Sequence, residues 1–351
     1  MISMTLTEVS YYSRKYAPVA VLFFLVILIF FYAIKLLFIA LQGPEKQIVY
    51  TNPVFGKIRK PFIKEASASG GLQFKLDTVE GTPITASEAA KVYFLPAATT
   101  RFGYREKIYL IAKSLGFDTA LIKHRLVDKD AVFIDSKQRV SIDITNFNFS
   151  YQYNFENEPK IFENTIIPSS TEITNKSIDF LKTVGRYPDE LAKGKTNIIY
   201  LSYDKQNKTL SPVERPQEAN SIEIDFYRPD IDGFPMYSPL FFNSQNYVVM
   251  MFYDGGVKVL RAQIKFFEKS DEQVGTYPLK TGDVAWEELK NGQGMVASNT
   301  KGQTNITIKT MRMGYLDPSV YQDYLQPVYV FLGENNFVGY VPAVAESFLT
   351  E

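Results

Sequence analysis

Residues 16–34 read YAPVAVLFFLVILIFFYAI, an uncharged and almost wholly apolar run that continues after Lys35 as LLFIALQ. At about 1.5 Å of rise per residue, roughly 20 such residues cross the ~30 Å hydrocarbon layer of a bilayer. A core helix of a soluble protein is seldom this long and uniform, and the apolar part of a cleaved signal peptide spans only about 7–15 residues. The run therefore predicts a single-pass transmembrane helix over residues 16–42, with the lipid bilayer as a partner.

The charges that flank this helix bear on its orientation. Two basic residues precede the helix and four follow it closely: Arg14, Lys15, Lys46, Lys57, Arg59 and Lys60. Counted alone, these charges would keep the longer part of the chain in the cytoplasm. A long folded domain, however, translocates largely regardless of charge, and the N-terminal tail is short. We therefore expect a protein of the cell membrane whose C-terminal domain is extracytoplasmic.

The overall composition excludes several classes of function. Lys plus Arg and Asp plus Glu both total 38, so the chain lacks the excess of positive charge typical of nucleic acid binding. The absence of cysteine excludes structural disulfides, thiolate zinc sites and cysteine nucleophiles. A single histidine, His124, excludes HExxH proteases and metal sites built on two histidines. We expect no nucleic acid partner, no cofactor and no metal.

Three stretches after the membrane helix have the periodicity of amphipathic helices. The first is YREKIYLIAKSLGFD (residues 104–118), in which the apolar residues fall on one face. The second begins at the Ser169/Glu172 capping box and ends at Gly185, and the third is GDVAWEELKNG (residues 282–292), with Asp283 as the predicted N-cap. Each helix is followed by strand-like sequence.

Alternating runs predict broad antiparallel sheets. In VSIDITNFNFSYQYNF (residues 140–155) the alternation slips near Thr145 and Asn146, where a β-bulge would restore one buried face. QTNITIKTMRM (residues 303–313) slips in a similar way. SIEIDFY (residues 221–227) indicates a half-buried strand, and Gly-rich segments at residues 254–256 and 333–336 predict hairpin turns.

Together these patterns predict an α+β fold of repeated helix-plus-antiparallel-sheet units with long, bulged strands. The predicted organisation, in order, is an N-terminal tail (1–15), a transmembrane helix (16–42), a juxtamembrane linker (43–71) and three α+β units (72–165, 166–275 and 276–351).

No catalytic, cofactor-binding or metal-binding residues are predicted. Ser298-Asn-Thr-Lys301 and Lys280-Thr281-Gly282 match two motifs of penicillin-binding proteins, but they occur in the reverse order. Gly194-Lys195-Thr196 lacks the upstream glycine and the strand–loop–helix context of a phosphate-binding loop. These three motifs are interpreted as coincidences.

Two further features leave alternatives open. Asp230 and Asp232 could offer two carboxylates to a calcium ion, or they could belong to a plain turn, which the lack of further calcium ligands favours. The aromatic side chains of residues 147–155 could form a binding surface for a peptide, glycan or protein, or they could pack in a sheet beneath a helix.

The C-terminal third resembles the YycH/YycI-type regulatory proteins of bacterial two-component systems. The matching features, over residues 215–345, are DGFP (232–235), YPLK (277–280) before the predicted third helix, MGY (313–315), QPVY (326–329) and YVPA (340–343). Tyr329 stands where a tryptophan is expected. The resemblance implies that an N-terminal membrane helix holds an extracytoplasmic α+β domain, which modulates a sensor kinase through protein contacts.

The leading hypothesis is a membrane-anchored binding or regulatory protein, not an enzyme, that acts on a membrane or cell-envelope protein. One alternative is an envelope hydrolase that uses carboxylates dispersed along the sequence, and another is a structural subunit of a surface or secretion assembly. No sequence pattern indicates an oligomeric state.

Overall fold

The computed structural model describes residues 6–41 and 50–350. The chain divides into two compact units, Met1–Val49 and Tyr50–Glu351. Residue 42 of the predicted transmembrane helix and residues 43–49 of the predicted linker lie outside the described residues.

The described α-helices are α1 (Leu6–Leu41), α2 (Tyr104–Ser114), α3 (Ser170–Val184), α4 (Asp189–Lys193) and α5 (Gly282–Lys290). The described strands are β1 (Ile58–Arg59), β2 (Ser67–Ala68), β3 (Gln73–Leu76), β4 (Ala89–Phe94), β5 (Arg125–Val127), β6 (Asp130–Ile134), β7 (Gln138–Asp143), β8 (Phe149–Tyr153), β9 (Thr165–Ile166), β10 (Thr196–Asp204), β11 (Thr209–Pro212), β12 (Ser221–Phe226), β13 (Met236–Tyr237), β14 (Tyr247–Tyr253), β15 (Gly256–Ile264), β16 (Val274–Pro278), β17 (Met295–Ser298), β18 (Asn305–Leu316), β19 (Tyr324–Leu325), β20 (Pro327–Gly333), β21 (Val338–Pro342) and β22 (Leu349–Thr350).

Helix α1 makes up the described part of the first unit. Its segment Arg14–Phe38 spans 25 residues with a mean hydropathy of 2.9, and none of it is buried. The helix is therefore long and apolar enough to be a membrane span or a signal sequence. Because α1 already begins at Leu6, residues 6–15 of the predicted tail are helical.

The second unit contains a ten-stranded sheet with the strand order β11-β10-β12-β14-β15-β8-β7-β6-β5, with β9 pairing beside β14. Every strand pair in it is antiparallel. Helices α2 and α3 lie on one face of this sheet and share one apolar core with it, into which Ile111 and Leu181 project. The α+β class is thus as predicted.

The ends of α3 form as the sequence predicts. Ser169 is the N-cap, and its hydroxyl accepts a hydrogen bond from the Glu172 backbone N–H at 3.3 Å. Gly185 ends the helix with φ of 76°, a left-handed conformation that glycine adopts without steric cost. Ile173, Leu181 and Val184 are buried on the face between these two ends.

The predicted bulge at Thr145 and Asn146 is wrong, because the run is a hairpin of β7 and β8. In this hairpin Ile142 pairs with Phe149. The Asp143 carboxylate accepts a hydrogen bond from the Thr145 N–H at 2.7 Å and closes the turn, as aspartate side chains often do. The change of phase in the sequence is therefore the change of direction between two strands whose apolar residues share one face.

A seven-stranded sheet has the order β13-β18-β20-β21-β17-β2, with β3 beside β18. The bulge predicted in the 303–313 run is confirmed, because the register between β18 and β20 shifts between Ile308 and Thr310. Ile306, Ile308, Met311 and Met313 consequently all enter one core with Trp286 of α5.

The N-cap of α5 is Thr281 and not Asp283, which lies in the first turn. The Gly282 N–H donates to the hydroxyl of the distant Thr85 at 2.9 Å. A Cβ atom at Gly282 would lie 2.3 Å from the Ile84 carbonyl oxygen. The helix therefore begins earlier than predicted, because the 84–85 segment packs against its first residue and supplies the hydrogen-bond acceptor.

Repetition of three α+β units is not confirmed, because strands pair across the predicted boundaries. Strand β3 pairs with β18, and β4 pairs with β16 and β19 in a three-stranded sheet. Strand β8 pairs with β15. Sequence periodicity marks where strands lie, but it carries no information about which distant strand each one joins.

The predicted linker is also wrong from Tyr50 onward, since this part belongs to the compact second unit. Ile58 and Ile63 are buried there. Strand β1 pairs in parallel with β22, and β2 pairs with β17. Two-residue strands are too short to show a periodic pattern, which is why the segment has the sequence character of a linker.

Arg228, which lies after β12, is buried and joins several elements. Its guanidinium contacts Glu190 Oε2 of α4 at 2.9 Å and Asp317 Oδ1, next to β18, at 2.8 Å. It also donates to the Phe267 carbonyl and lies 3.8 Å from the centre of the Phe266 ring. Burial raises the pKa of Asp317 to about 6 in spite of the nearby Arg228. Arg228 thus connects the ten-stranded and seven-stranded sheets.

Replacing Arg228 by methionine should lower the free energy of unfolding by about 3–5 kcal/mol, because the Asp317 carboxylate would stay buried without its cation. Urea unfolding of the full chain in nonionic detergent, followed by Trp286 fluorescence, measures the change. Arg215→Met is the control: its ion pair with Glu218 is exposed, and its loss should cost less than about 1 kcal/mol. Equal effects of the two substitutions would contradict the role given to Arg228.

Candidate functional site

A cavity of about 560 Å³ opens where chain segments pass between the two larger sheets. Its walls are residues 96–98 after β4, residues 265–268 after β15, residues 319–321 after β18, and the β7–β8 hairpin. Arg101 and Lys107, before and within α2, Arg186 after α3, and Lys129 and Asp130 at the β5–β6 turn also line it. We call this cavity the junction cleft. Its volume lies within the range of about 300–1,000 Å³ that is typical of small-molecule sites.

The tip of the β7–β8 hairpin forms one wall of the cleft. The Asn146 side-chain oxygen accepts a hydrogen bond from the Asn148 N–H at 2.8 Å. Between them, Phe147 has φ of 61°, an uncommon conformation for a bulky residue that costs on the order of 1–3 kcal/mol. Such strain is frequent at functional sites. Here the turn holds an aromatic ring in the cleft.

Arg186 is the most buried cation of the junction cleft, with 13% of its side chain exposed. Its guanidinium donates to the Asn148 side-chain oxygen at 2.9 Å and to the Phe266 carbonyl at 3.0 Å. It also contacts Glu268 Oε1 at 3.3 Å. Burial lowers the pKa of Arg186, although Glu268 opposes the shift. These hydrogen bonds hold Arg186 in one position against the hairpin.

Lys107 of α2 lies over the Phe147 ring, with Nζ 4.2 Å from the ring centre. Its pKa is lowered first by burial and then by repulsion from Arg186 and Arg101. Lys129 and Lys265 add two more cations to the lining. In the described part of the chain, only Arg186 among the five cleft cations forms an ion pair with a carboxylate.

Three carboxylates also line the cleft, and each already has a contact. Asp143 accepts the turn hydrogen bond described above, and Glu268 pairs with Arg186. Asp130 accepts a hydrogen bond from the Ser141 hydroxyl at 2.7 Å. Asp130 and Asp143 are directly opposite each other on β6 and β7, so their Cβ atoms are about 4.5–5.5 Å apart. The cleft therefore joins a carboxylate pair to a group of mostly unpaired cations.

A second group of carboxylates lies on β12. The strand is buried on both faces, not half-buried as predicted, and Asp225 is fully buried. Tyr227 donates its hydroxyl hydrogen to Asp225 Oδ2 at 3.2 Å, and Asn243 donates to Glu223 Oε1 at 3.1 Å. Burial, with a smaller contribution from Glu223, raises the pKa of Asp225 to about 7. Neither residue lines the junction cleft.

The residues that the sequence singled out lie elsewhere. His124 contacts the Tyr109 hydroxyl at 3.2 Å through Nδ1. Asp230 pairs with Lys195 and Asp232 with Lys91, both at 3.1 Å. Lysines thus occupy the carboxylates of the possible calcium loop. Within residues 6–41 and 50–350, no group of three potential ligands is placed to hold a metal ion.

The two motifs shared with penicillin-binding proteins do not form a site. Lys280 contacts Glu288 at 2.6 Å, with its side chain 4% exposed, whereas Lys301 donates to Asn335 at 2.6 Å in an exposed loop. The aromatic run beyond Phe147 is part of the core, where Phe149, Tyr151 and Tyr153 pack beneath the helices. Only Phe147 and Phe149 of this run line the cleft.

No family model matches the chain, and no curated protein matches it. Among solved structures, it is similar to an uncharacterized protein from Eubacterium rectale ATCC 33656, determined as a crystal structure at 1.45 Å resolution. The two share 12% sequence identity over 78% of this chain and 89% of that chain, with a TM-score of 0.32. A likeness of this size carries no argument. The resemblance to YycH/YycI-type regulatory proteins stays a prediction.

The raised pKa of Asp225 predicts a pH-dependent stability. As pH rises from about 4 to about 7, the unfolded chain releases this proton before the folded chain does, so stability falls and then levels off. Asp225→Asn, which resembles the neutral acid, should be more stable than the wild type by about 1–3 kcal/mol at pH 8 and nearly equal to it at pH 4. Urea unfolding at both pH values measures this, and a constant difference would contradict it.

Proposed function

We propose that this protein is a membrane-anchored binding protein with a regulatory role, and that the junction cleft is its binding site. Helix α1 supports the anchor through its length and apolar composition. The observation that carries the binding role is the cleft itself, in which fixed polar groups and an aromatic ring converge on one open cavity. Such convergence is typical of sites that recognise another molecule.

The position of the cleft supports a regulatory role. Its walls include residues 265–268 and 319–321, which flank the contacts of Arg228 with Phe267 and Asp317. A molecule bound there touches segments that lead into both large sheets. A ligand bound in the cleft would therefore favour one arrangement of these segments over others. A protein partner that binds one arrangement more tightly would distinguish the ligand-bound protein from the free protein. We place the second unit outside the cytoplasm, because a long folded domain translocates largely regardless of the charges that flank the helix.

The test is to fill the cleft and measure contact with a partner protein. Ser150 is an exposed residue of β8 that lines the cleft, whereas the exposed Gln152 lies two residues along the same face and outside it. A membrane-impermeant crosslinker, added to intact cells, should join the wild type and Gln152→Trp to a membrane protein. Ser150→Trp should lower the yield by about tenfold or more, because it occupies a central pocket.

Equal yields for the two tryptophan variants would overturn the role of the cleft. An adduct that forms only after the cells are permeabilised would overturn the extracytoplasmic placement instead. Unfolding midpoints of both variants should match that of the wild type, since tryptophan is well tolerated on an exposed strand face.

One observation favours a hydrolase as the second candidate. The opposed Asp130 and Asp143 both line the cleft, and Cβ atoms about 4.5–5.5 Å apart allow their carboxyl groups to reach the separation of paired catalytic carboxyl groups, about 5–10 Å. In this proposal Asp130 is the general acid or base, because Asp143 accepts three hydrogen bonds within its turn, whereas Asp130 accepts one, from the Ser141 hydroxyl.

If the hydrolase proposal is right, the wild type should cleave envelope glycan or peptide fragments, and Asp130→Asn should lose at least about 100-fold in rate. Asp128→Asn is the matched control, because Asp128 is exposed and has φ of 53°, which asparagine accepts. Mass spectrometry of the fragments after incubation detects cleavage. The absence of cleavage by the wild type would remove this candidate.

A further inference from the structure

We infer that the junction cleft binds an oxyanion, a phosphate or carboxylate group, carried on a flat apolar body. This inference rests on the proposed function and names the chemical class of its ligand. Five cations line the cleft together with three carboxylates, in a chain whose formal net charge is +0. The positive charge of the cleft is therefore a local feature and not a reflection of composition.

The cations of the cleft outnumber its carboxylates, and in the described part of the chain only Arg186 is paired with one of them, Glu268. Arg186 also donates to Asn148 and the Phe266 carbonyl, and Lys107 lies over the Phe147 ring. The pKa of Lys107 is lowered first by burial and then by repulsion from Arg186 and Arg101. A bound oxyanion removes this repulsion and accepts charge-assisted hydrogen bonds from the same groups.

The aromatic ring of Phe147 indicates the flat apolar body. Lys107 lies over this ring at 4.2 Å, and the left-handed backbone at Phe147 places a large ring where asparagine or glycine would be unstrained. A planar apolar group on the ligand can contact Phe147, which lines the cleft, while its anionic end reaches the cations. The cleft volume of about 560 Å³ admits a ligand of this size.

An unsatisfied hydroxyl is an independent sign of a missing polar partner. Ser319 lines the cleft, and its buried Oγ has no hydrogen-bond partner among the described residues. A buried hydroxyl without a partner is costly and uncommon in folded proteins. Rotation of the Ser319 side chain about χ1 would let this hydroxyl donate a hydrogen bond to an oxyanion oxygen in the cleft.

The experiment measures binding of phenyl phosphate to the full chain in nonionic detergent by isothermal titration calorimetry. The wild type should bind one equivalent, and Lys107→Gln should bind at least about tenfold more weakly, because a charge-assisted contact is lost. Lys113→Gln is the matched control, since Lys113 is exposed on the same helix and outside the cleft. It should bind within about twofold of the wild type. Lys129→Gln, an exposed position of the lining, should also weaken binding if Lys107→Gln does not fold.

Two further arms distinguish the source of the anion. In the first arm, vesicles of phosphatidylcholine with phosphatidic acid compete with phenyl phosphate. If they do so and vesicles of phosphatidylcholine alone do not, the anion is a lipid headgroup. Competition by soluble phosphate esters or by benzoate alone identifies a soluble ligand. Both results support an anion site. The inference is overturned if neither phenyl phosphate nor benzoate binds saturably, or if Lys107→Gln and Lys113→Gln bind phenyl phosphate equally well.

This failure is distinct from failure of the proposed function. If Ser150→Trp still lowers the crosslinking yield while no anion binds, the cleft is a binding site for a ligand of another class. If anions bind but the crosslinking yields of Ser150→Trp and Gln152→Trp are equal, the anion site exists without the partner-binding role.

Discussion

The buried guanidinium of Arg228 is the interaction on which the arrangement of the second unit depends. A buried cation is tolerated only when it is paired, and Arg228 forms ion pairs with Glu190 and Asp317 and donates a hydrogen bond to the Phe267 carbonyl. These acceptors belong to segments that are far apart in the sequence. Each of them must take its position for the charge to be satisfied. The contact set therefore favours a single relative placement of the two large sheets over alternatives in which apolar surfaces merely meet.

The same contacts explain why a cleft persists at this place. Phe266 and Phe267 line it, and Ser319 lies two residues after Asp317, so the wall is fixed from behind by an ion pair. Arg186 approaches the Phe266 carbonyl from the other direction. Two arginines thus hold the segment that leaves β15. The Arg228 side chain is fully buried, whereas part of the Arg186 side chain stays exposed at the cavity. This difference in burial makes Arg228 a structural cation and leaves Arg186 available to a ligand.

Local features of the fold were predictable from the sequence, and distant ones were not. The capping box at Ser169, the glycine stop at Gly185 and the register shift at Ile308 depend on neighbouring residues, which a pattern contains. The turn at Asp143 was predicted as a bulge. The Asp143 side chain closes this turn without glycine or proline, so the sequence shows only a shift in the alternation of apolar and polar residues, which a bulge would also produce. The cleft was missed because Arg101, Arg186 and Ser319 come from separate segments, and no spacing in the sequence joins them. Arg228 was unremarkable in a sequence that continues with Pro, Asp and Gly, where a solvated turn is the ordinary interpretation.

The pairing of early strands with late ones determines the order in which the chain can fold during synthesis. Strands β2, β3 and β4 find their partners in β17, β18, β16 and β19, which the ribosome makes about 200 residues later, a delay on the order of 10–40 s. The ten-stranded sheet needs none of these strands and can form first. Until the later strands are made, β3 and β4 have no partner strands, and their apolar residues are exposed. This interval is when the nascent chain is most vulnerable to aggregation, and a chaperone that binds extended apolar segments would act on residues 67–94.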